Sequence, residues 1–126
     1  MERDDMIAAG FGYRQGATLA SLRSALDTAL AGGPAPAYLA TIPHKRRLAH
    51  LLAQDMNIDL KIIETERLTM MNTLTQSLAS LAAYGCGSVA EAAALAAAGP
   101  GARLYGPRAV SEDRMATCAL AEGDTP

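Results

Sequence analysis

The sequence predicts an α/β fold: a single three-layer domain over residues 1–126, with a mainly parallel sheet of about five strands and helices on both faces. Three observations lead there. Short apolar runs alternate along the chain with stretches that carry leucines at three- and four-residue spacing. Clusters of Gly and Pro punctuate the boundaries between them. The length of 126 residues suits one domain and leaves little room for a second.

Each element follows in order. Met6-Ile7-Ala8-Ala9 reads as a first strand that runs into a glycine-rich turn, Gly10-Phe11-Gly12-Tyr13-Arg14-Gln15-Gly16. Leu19, Leu22, Leu26 and Leu30 mark an amphipathic helix that Thr18 caps and Gly32-Gly33-Pro34 ends. Residues 37–42 read as a second strand. Pro43 opens a second helix, whose apolar face would be Leu48, Leu51, Leu52 and Met56, with Asn57 as its stop. Leu60-Lys61-Ile62-Ile63 has the β-branched content of a third strand. Thr65-Glu66-Arg67-Leu68 is a short turn or helix. In residues 72–84, Leu74, Leu78 and Leu81 permit a helix while the Ser and Thr content permits a loop, and both readings stay open. After the hinge Gly85-Cys86-Gly87, Ser88 and Glu91 form a capping box for a helix over residues 88–98, which Gly99-Pro100-Gly101 stops. Arg103-Leu104-Tyr105 and residues 115–120 read as closing strands, expected as an antiparallel hairpin at one sheet edge. Residues 123–126 should fray.

Composition removes several function classes. Hydrophobic residues make up 50% of the chain and charged residues 19%, so it can bury a core, although much of the apolar half is alanine. The aromatics are Phe11, Tyr13, Tyr38, Tyr84 and Tyr105. No run approaches the ~18 apolar residues of a membrane span. Met1-Glu2-Arg3-Asp4-Asp5 is too acidic for a signal peptide, so a cytoplasmic protein is expected. A net charge of −2 argues against nucleic acid or a membrane surface as partner. Two cysteines, Cys86 and Cys118, suit neither a disulfide framework nor a zinc cage. His44 and His50 lie at no metal-ligand spacing, so no metal and no cofactor are expected.

Three loops could carry chemistry at the carboxyl edge of the sheet, where ligands of open α/β folds collect. In the first, Gly10, Gly12 and Gly16 with Tyr13 and Arg14 would let a backbone and a helix start approach an anion. The spacing is one residue off the dinucleotide fingerprint, and no acid closes strand two to grip a ribose. The glycines equally suit a tight strand-to-helix turn with no ligand. In the second, His44-Lys45-Arg46-Arg47 places cations at a helix start, against the helix dipole, with Lys45 as the inward side chain and the rest solvated. In the third, Gly87, Ser88 and Glu91 combine a helix start with a hydroxyl, although helix capping alone explains them. Cys86 beside that helix start is a candidate nucleophile or an idle thiol. The geometric expectation is that Arg14, Lys45 and Ser88 rim one cleft that accepts negative groups.

At these loops the sequence resembles the CobE/CbiG C-terminal domain family of cobalamin biosynthesis. The resemblance is carried by Gly10-Phe11-Gly12-Tyr13-Arg14-Gln15-Gly16, Ala40-Thr41-Ile42-Pro43-His44-Lys45, Thr75-Gln76-Ser77, Gly87-Ser88-Val89-Ala90-Glu91-Ala92-Ala93-Ala94-Leu95 and Ala116-Thr117-Cys118-Ala119-Leu120. It implies a compact α/β domain that acts on corrinoid precursors, and it adds Thr41 and Ser77 to the substrate-binding candidates. Two-domain members look like cobalt-precorrin-5A hydrolases, which open a lactone and release acetaldehyde. A chain this short is similar to the stand-alone CobE type, for which binding or handing over a corrin intermediate is the expectation. Other enzymes of the cobalamin pathway would then be its partners. Carboxylate arms of such a ring suit Lys45, Arg14, Ser77 and Ser88, and its flat face suits Phe11, Tyr13 and Tyr84. Tyr13 stands where the family often has cysteine, which weakens a thiol mechanism. A lactone hydrolase using Lys45, Ser88 or Glu91 is the enzymatic alternative, and a nucleotide-phosphate binder is a third.

Overall fold

A computed structural model of the chain describes residues 7–123. The expectations placed on residues 1–6 and 124–126 lie outside them. The elements are β1 (Ile7–Tyr13), α1 (Leu19–Leu30), β2 (Tyr38–Thr41), a 3-10 turn (Pro43–Lys45), α2 (Arg46–Met56), β3 (Asp59–Ile62), α3 (Thr65–Leu68), α4 (Leu78–Tyr84), α5 (Val89–Ala98), β4 (Arg103–Leu104), β5 (Ala109–Val110) and β6 (Ala116–Glu122). They build an α/β domain around one six-stranded sheet, in the order β3-β2-β1-β6-β4 with β5 also on β6. The β1-β2-β3 half is parallel. The last long strand is not the edge hairpin expected. It lies antiparallel against the whole of β1, from Ile7 opposite Glu122 to Tyr13 opposite Ala116. The short strands β4 and β5 flank it outside. Its near-continuous burial fits the position, because both of its faces are covered: Cys118 and Leu120 lie in the core beneath α1 and Ala119 and Ala121 in the core beneath α5.

Alternation along β1 separates two cores. Ala9 and Phe11 join Leu22, Leu26, Leu39 and Leu52 beneath α1 and α2. Ala8, Ala40, Ala119 and Ala121 face α5 on the other side. Nine of the ten residues of α5 are buried, most of them alanine, so the helix lies unusually close to the sheet. That closeness corrects the reading of the glycines. Gly10 and Gly12 belong to β1 rather than to a loop, and a Cβ on Gly10 would overlap the Ala90 carbonyl and the Ala94 amide. Gly10 is glycine because a helix backbone passes over it.

The helix ends follow the sequence. The Thr18 hydroxyl accepts from the Ser21 amide, and Ser21 Oγ in turn accepts from the Thr18 amide, completing a capping box without an acid. Asn57 stops α2 in the left-handed conformation. Two apolar expectations fail. Leu51 is 43% exposed, because Ala49 and Ala53 with Leu52 form the inward stripe of α2. The open stretch resolves into a loop followed by α4, yet none of α4 is buried, and Leu78 is 84% exposed. Its leucine spacing makes a helix without making a core.

Gly10→Ala tests the close approach. The added methyl meets backbone rather than a movable side chain, so stability should fall by roughly 2–3 kcal/mol, read as a lower urea midpoint at unchanged slope. Gly32→Ala meets nothing at its Cβ and differs only through its positive φ.

Candidate functional site

A cleft of about 340 Å³ opens where β1 ends, bounded by the segments after β1, before α2, along α4 and around the β5–β6 turn. Its basic lining is Arg14, Lys45, Arg108 and Arg114, and among the described residues no Asp or Glu lines it. On a chain of net charge −2 with eleven Lys and Arg in total, four cations in one small cleft are a concentration of positive charge. The side chains of Arg14, Arg108 and Arg114 form no ion pair with any described residue.

Lys45 and Tyr13 hold each other. The Tyr13 hydroxyl donates to the Lys45 carbonyl and accepts from the Leu48 amide at 3.4 Å. The Lys45 ammonium donates to the Tyr13 carbonyl and stands 5.2 Å from the centre of the Tyr13 ring. Burial lowers the pKa of Lys45 and raises that of Tyr13. Arg46, Arg47 and His50 lie instead along a larger open groove of about 930 Å³ between α2 and the edge strand β3, which contains none of the expected site residues. Tyr84 lines the cleft and stacks on His44 at 5.6 Å between ring centres, its hydroxyl 2.7 Å from His44 Nε2.

The expected residues separate into two sets. Gly12, Tyr13, Arg14, Lys45 and Ser77 line the cleft. Gly10, Gly16, Thr41, Gly87, Ser88 and Glu91 do not. Gly16 turns the chain after β1 at φ +98°. Thr41 is buried and donates to the Phe11 carbonyl at 2.9 Å. Phe11 is fully buried beneath α1, so it offers no surface to a ring. Gly87 is packed against the Thr75 carbonyl, and Ser88 spends its hydroxyl on the Glu91 amide at 3.2 Å. The expected rim of Arg14, Lys45 and Ser88 therefore loses Ser88, and Ser77 and Val89 stand in the cleft instead.

Glu91 is the reason. Its carboxylate does not return to Ser88 as a capping box requires. It accepts from the Leu74 amide (2.6 Å), the Thr75 amide (2.9 Å), the Thr75 hydroxyl (2.5 Å) and the Arg108 amide (2.8 Å). The residue is wholly buried. Burial opposes ionisation, but those donors outweigh it and hold the carboxyl below the ordinary 4.5. A general acid needs the opposite shift and an exposed carboxyl. Cys86 is likewise no thiolate, because burial raises its pKa. Cys118 is buried and shifted further in the same direction.

Sequence reasoning missed Arg108, Arg114 and Thr117. Arg108 follows a Gly-Pro turn and Arg114 sits in a polar turn, and both read as solvated loop until Glu91 and the β5–β6 pairing bring them to the cleft. Among the described residues, no group of three or more His, Cys, Asp or Glu could hold a metal ion. No single helix there is long and apolar enough to cross a membrane.

The chain is thus an α/β domain with a cluster of basic side chains in a cleft at the end of its first strand. The family described as Cobalamin synthesis G C-terminus matches residues 7–121, and the chain belongs to it. It is a member of a cobalamin biosynthesis family. Among solved structures it is similar to CobE, a protein from the cobalamin (vitamin B12) biosynthetic pathway, with TM-score 0.82 and 32% identity over 95% of this chain and 92% of that one. It is also similar to cobalamin biosynthesis protein chiG from Agrobacterium tumefaciens, with TM-score 0.72 and 36% identity over 94% and 99%. A cobalamin biosynthesis protein G homolog from Sulfolobus solfataricus shares the fold, with TM-score 0.72 and 20% identity over 94% of this chain and 37% of that one. Among curated proteins no match was found.

Glu91→Gln should cost about 2–4 kcal/mol, because an amide replaces a charged acceptor facing buried N–H donors. The folded pKa lies below the unfolded one, so this stabilisation is fully present above 4.5 and is lost as pH falls through the folded value. Urea midpoints measured from pH 7 downward should therefore drop in acid for the wild type and flatten for Glu91→Gln.

Proposed function

We propose that the cleft binds a corrin-ring precursor by its peripheral carboxylates and that the protein acts as a carrier or accessory factor in cobalamin biosynthesis. The observation that carries this reading is the cleft with four basic side chains and, among the described residues, no acidic one. Carboxylates meeting Arg and Lys form charge-assisted hydrogen bonds, the stronger class. At about 340 Å³ the cleft suits an edge of such a macrocycle with its acetate and propionate arms, not the whole ring. Tyr84 and Val89 give that edge an apolar contact. Membership of the family supplies the pathway.

Binding without chemistry is favoured by the state of the candidate catalytic groups. Glu91 is saturated with hydrogen bonds, Ser88 is committed to its helix and Cys86 is protonated and buried. The lactone-hydrolase alternative would have Lys45 alone among the named groups in the cleft. A carrier passes its ligand on, so other enzymes of the same pathway are its partners and the cytoplasm its setting.

Absorbance titration with hydrogenobyrinic acid tests the reading. The wild type should saturate at one ligand per chain without turnover, and affinity should fall as salt rises. Lys45→Ala and Arg14→Ala should each weaken binding about ten- to a hundredfold. Arg23→Ala, whose guanidinium pairs with Asp55 away from the cleft, should not. Absence of a saturable change in the wild type rejects the proposal, and acetaldehyde release from a lactone intermediate by the isolated chain replaces it with the hydrolase.

A further inference from the structure

Arg114 has a backbone conformation that arginine rarely adopts. Its φ is +62°, in the left-handed region that favours glycine, whereas the other described non-glycine residues with positive φ are the helix-ending Ala31 and Asn57. The turn that forces it is built from the core outward. Ser111, 2% exposed, donates its amide to the Ala116 carbonyl, and its hydroxyl accepts from the Met115 and Ala116 amides. The Arg114 amide closes back on the Ser111 carbonyl at 2.9 Å. Asp113 then locks the turn to α1: one carboxylate oxygen accepts from Ser111 Oγ at 2.6 Å and the other from Ser21 Oγ at 2.6 Å.

Two consequences follow. Asp113, next to Arg114 in the chain, directs one oxygen to Ser111 and the other to Ser21, and no ion pair joins it to Arg114. The guanidinium of Arg114 lines the cleft and has no hydrogen-bonded or ionic partner among the described residues. A glycine would fit the turn better, and an exposed hairpin turn of this kind places no packing demand on a long basic side chain.

We infer that Arg114 is a specificity-determining anion anchor of the cleft, fixed there by the Ser21–Asp113–Ser111 clamp at the expense of backbone strain, and that the ligand it selects is a polycarboxylate. The inference rests on the reading of the cleft as a site for carboxylates and goes beyond it in assigning the selective role to Arg114 and its clamped turn. Arg114 comes from the β5–β6 turn, Arg14 from the end of β1 and Lys45 from the start of α2, so one ligand must present more than one anionic group to meet them together.

Thermal melting and citrate titration at constant ionic strength, with the neutral trimethyl ester of citrate as control, test it on wild type, Arg114→Gly and Arg114→Lys. Without ligand, Arg114→Gly should melt roughly 2–4 °C above wild type, because the strain is relieved. It should bind citrate at least about tenfold more weakly. Arg114→Lys should stay within about threefold of the wild-type affinity and gain no melting temperature. The ester should bind none of them. The inference is overturned if Arg114→Gly melts at or below wild type, if it binds citrate as wild type does, or if wild type does not distinguish citrate from the ester. Hydrogenobyrinic acid failing to bind while the citrate results hold would reject the corrin ligand and leave the assignment of Arg114 in force.

Discussion

One buried carboxylate joins the core of this protein to its cleft. Glu91 sits on α5, the helix pressed closest to the sheet, and its oxygens receive four donors from two segments distant in sequence. A lone buried carboxylate costs several kcal/mol. Here the cost is offset because the donors are backbone amides and a hydroxyl that would otherwise be left unpaired as the loop closes over the helix. Leu74 and Thr75 are thereby pinned above the start of α5, and Ser77 follows them into the cleft wall, its amide donating to the Gly87 carbonyl at 2.8 Å. Arg108 is placed by the same oxygen that binds Thr75. The cleft takes its shape from a residue that does not line it.

That arrangement depends in turn on how small the residues between helix and sheet are. Gly10, Gly12 and the alanines of β1, β2 and β6 let α5 descend until its backbone meets the strand. Larger side chains on either surface would lift the helix and carry Glu91 away from its donors. The opposite face is packed conventionally, with Phe11 and leucines under α1 and α2. The two faces thus divide the labour: one supplies apolar area for stability, the other supplies positional accuracy.

Local signals were legible and distant partners were not. Thr18 and Ser88 are caps by residue type and position, and both accept the expected amide. The alternation of strand and helix, and a lysine following strand two, could be read from short windows. Gly10 and Gly12 looked like a loop because glycine marks turns and also marks close backbone approach, and only the facing helix distinguishes the two. Glu91 fitted a capping box three residues from Ser88, but its stronger partners lie 16 and 17 residues away. The leucines of α4 have helical spacing, yet spacing reports a face and not whether anything covers it. The antiparallel insertion of β6 beside β1 is a matter of topology, to which a two-residue period is blind.

The electrostatics of the cleft set a final constraint. Four cations held around about 340 Å³ repel one another, and among the described residues no acidic side chain lines the cavity to relieve them. The unliganded protein carries that repulsion together with the partial desolvation of Lys45. On the reading proposed above, a ligand with several carboxylates removes more of the repulsion than one with a single carboxylate, because each added negative group meets a potential already raised by the remaining cations. Affinity should therefore rise more steeply than the number of contacts alone requires. Amidation of successive carboxylates on the ligand would weaken binding in the same graded way, so that such a cleft would rank ligands of one shape by charge alone.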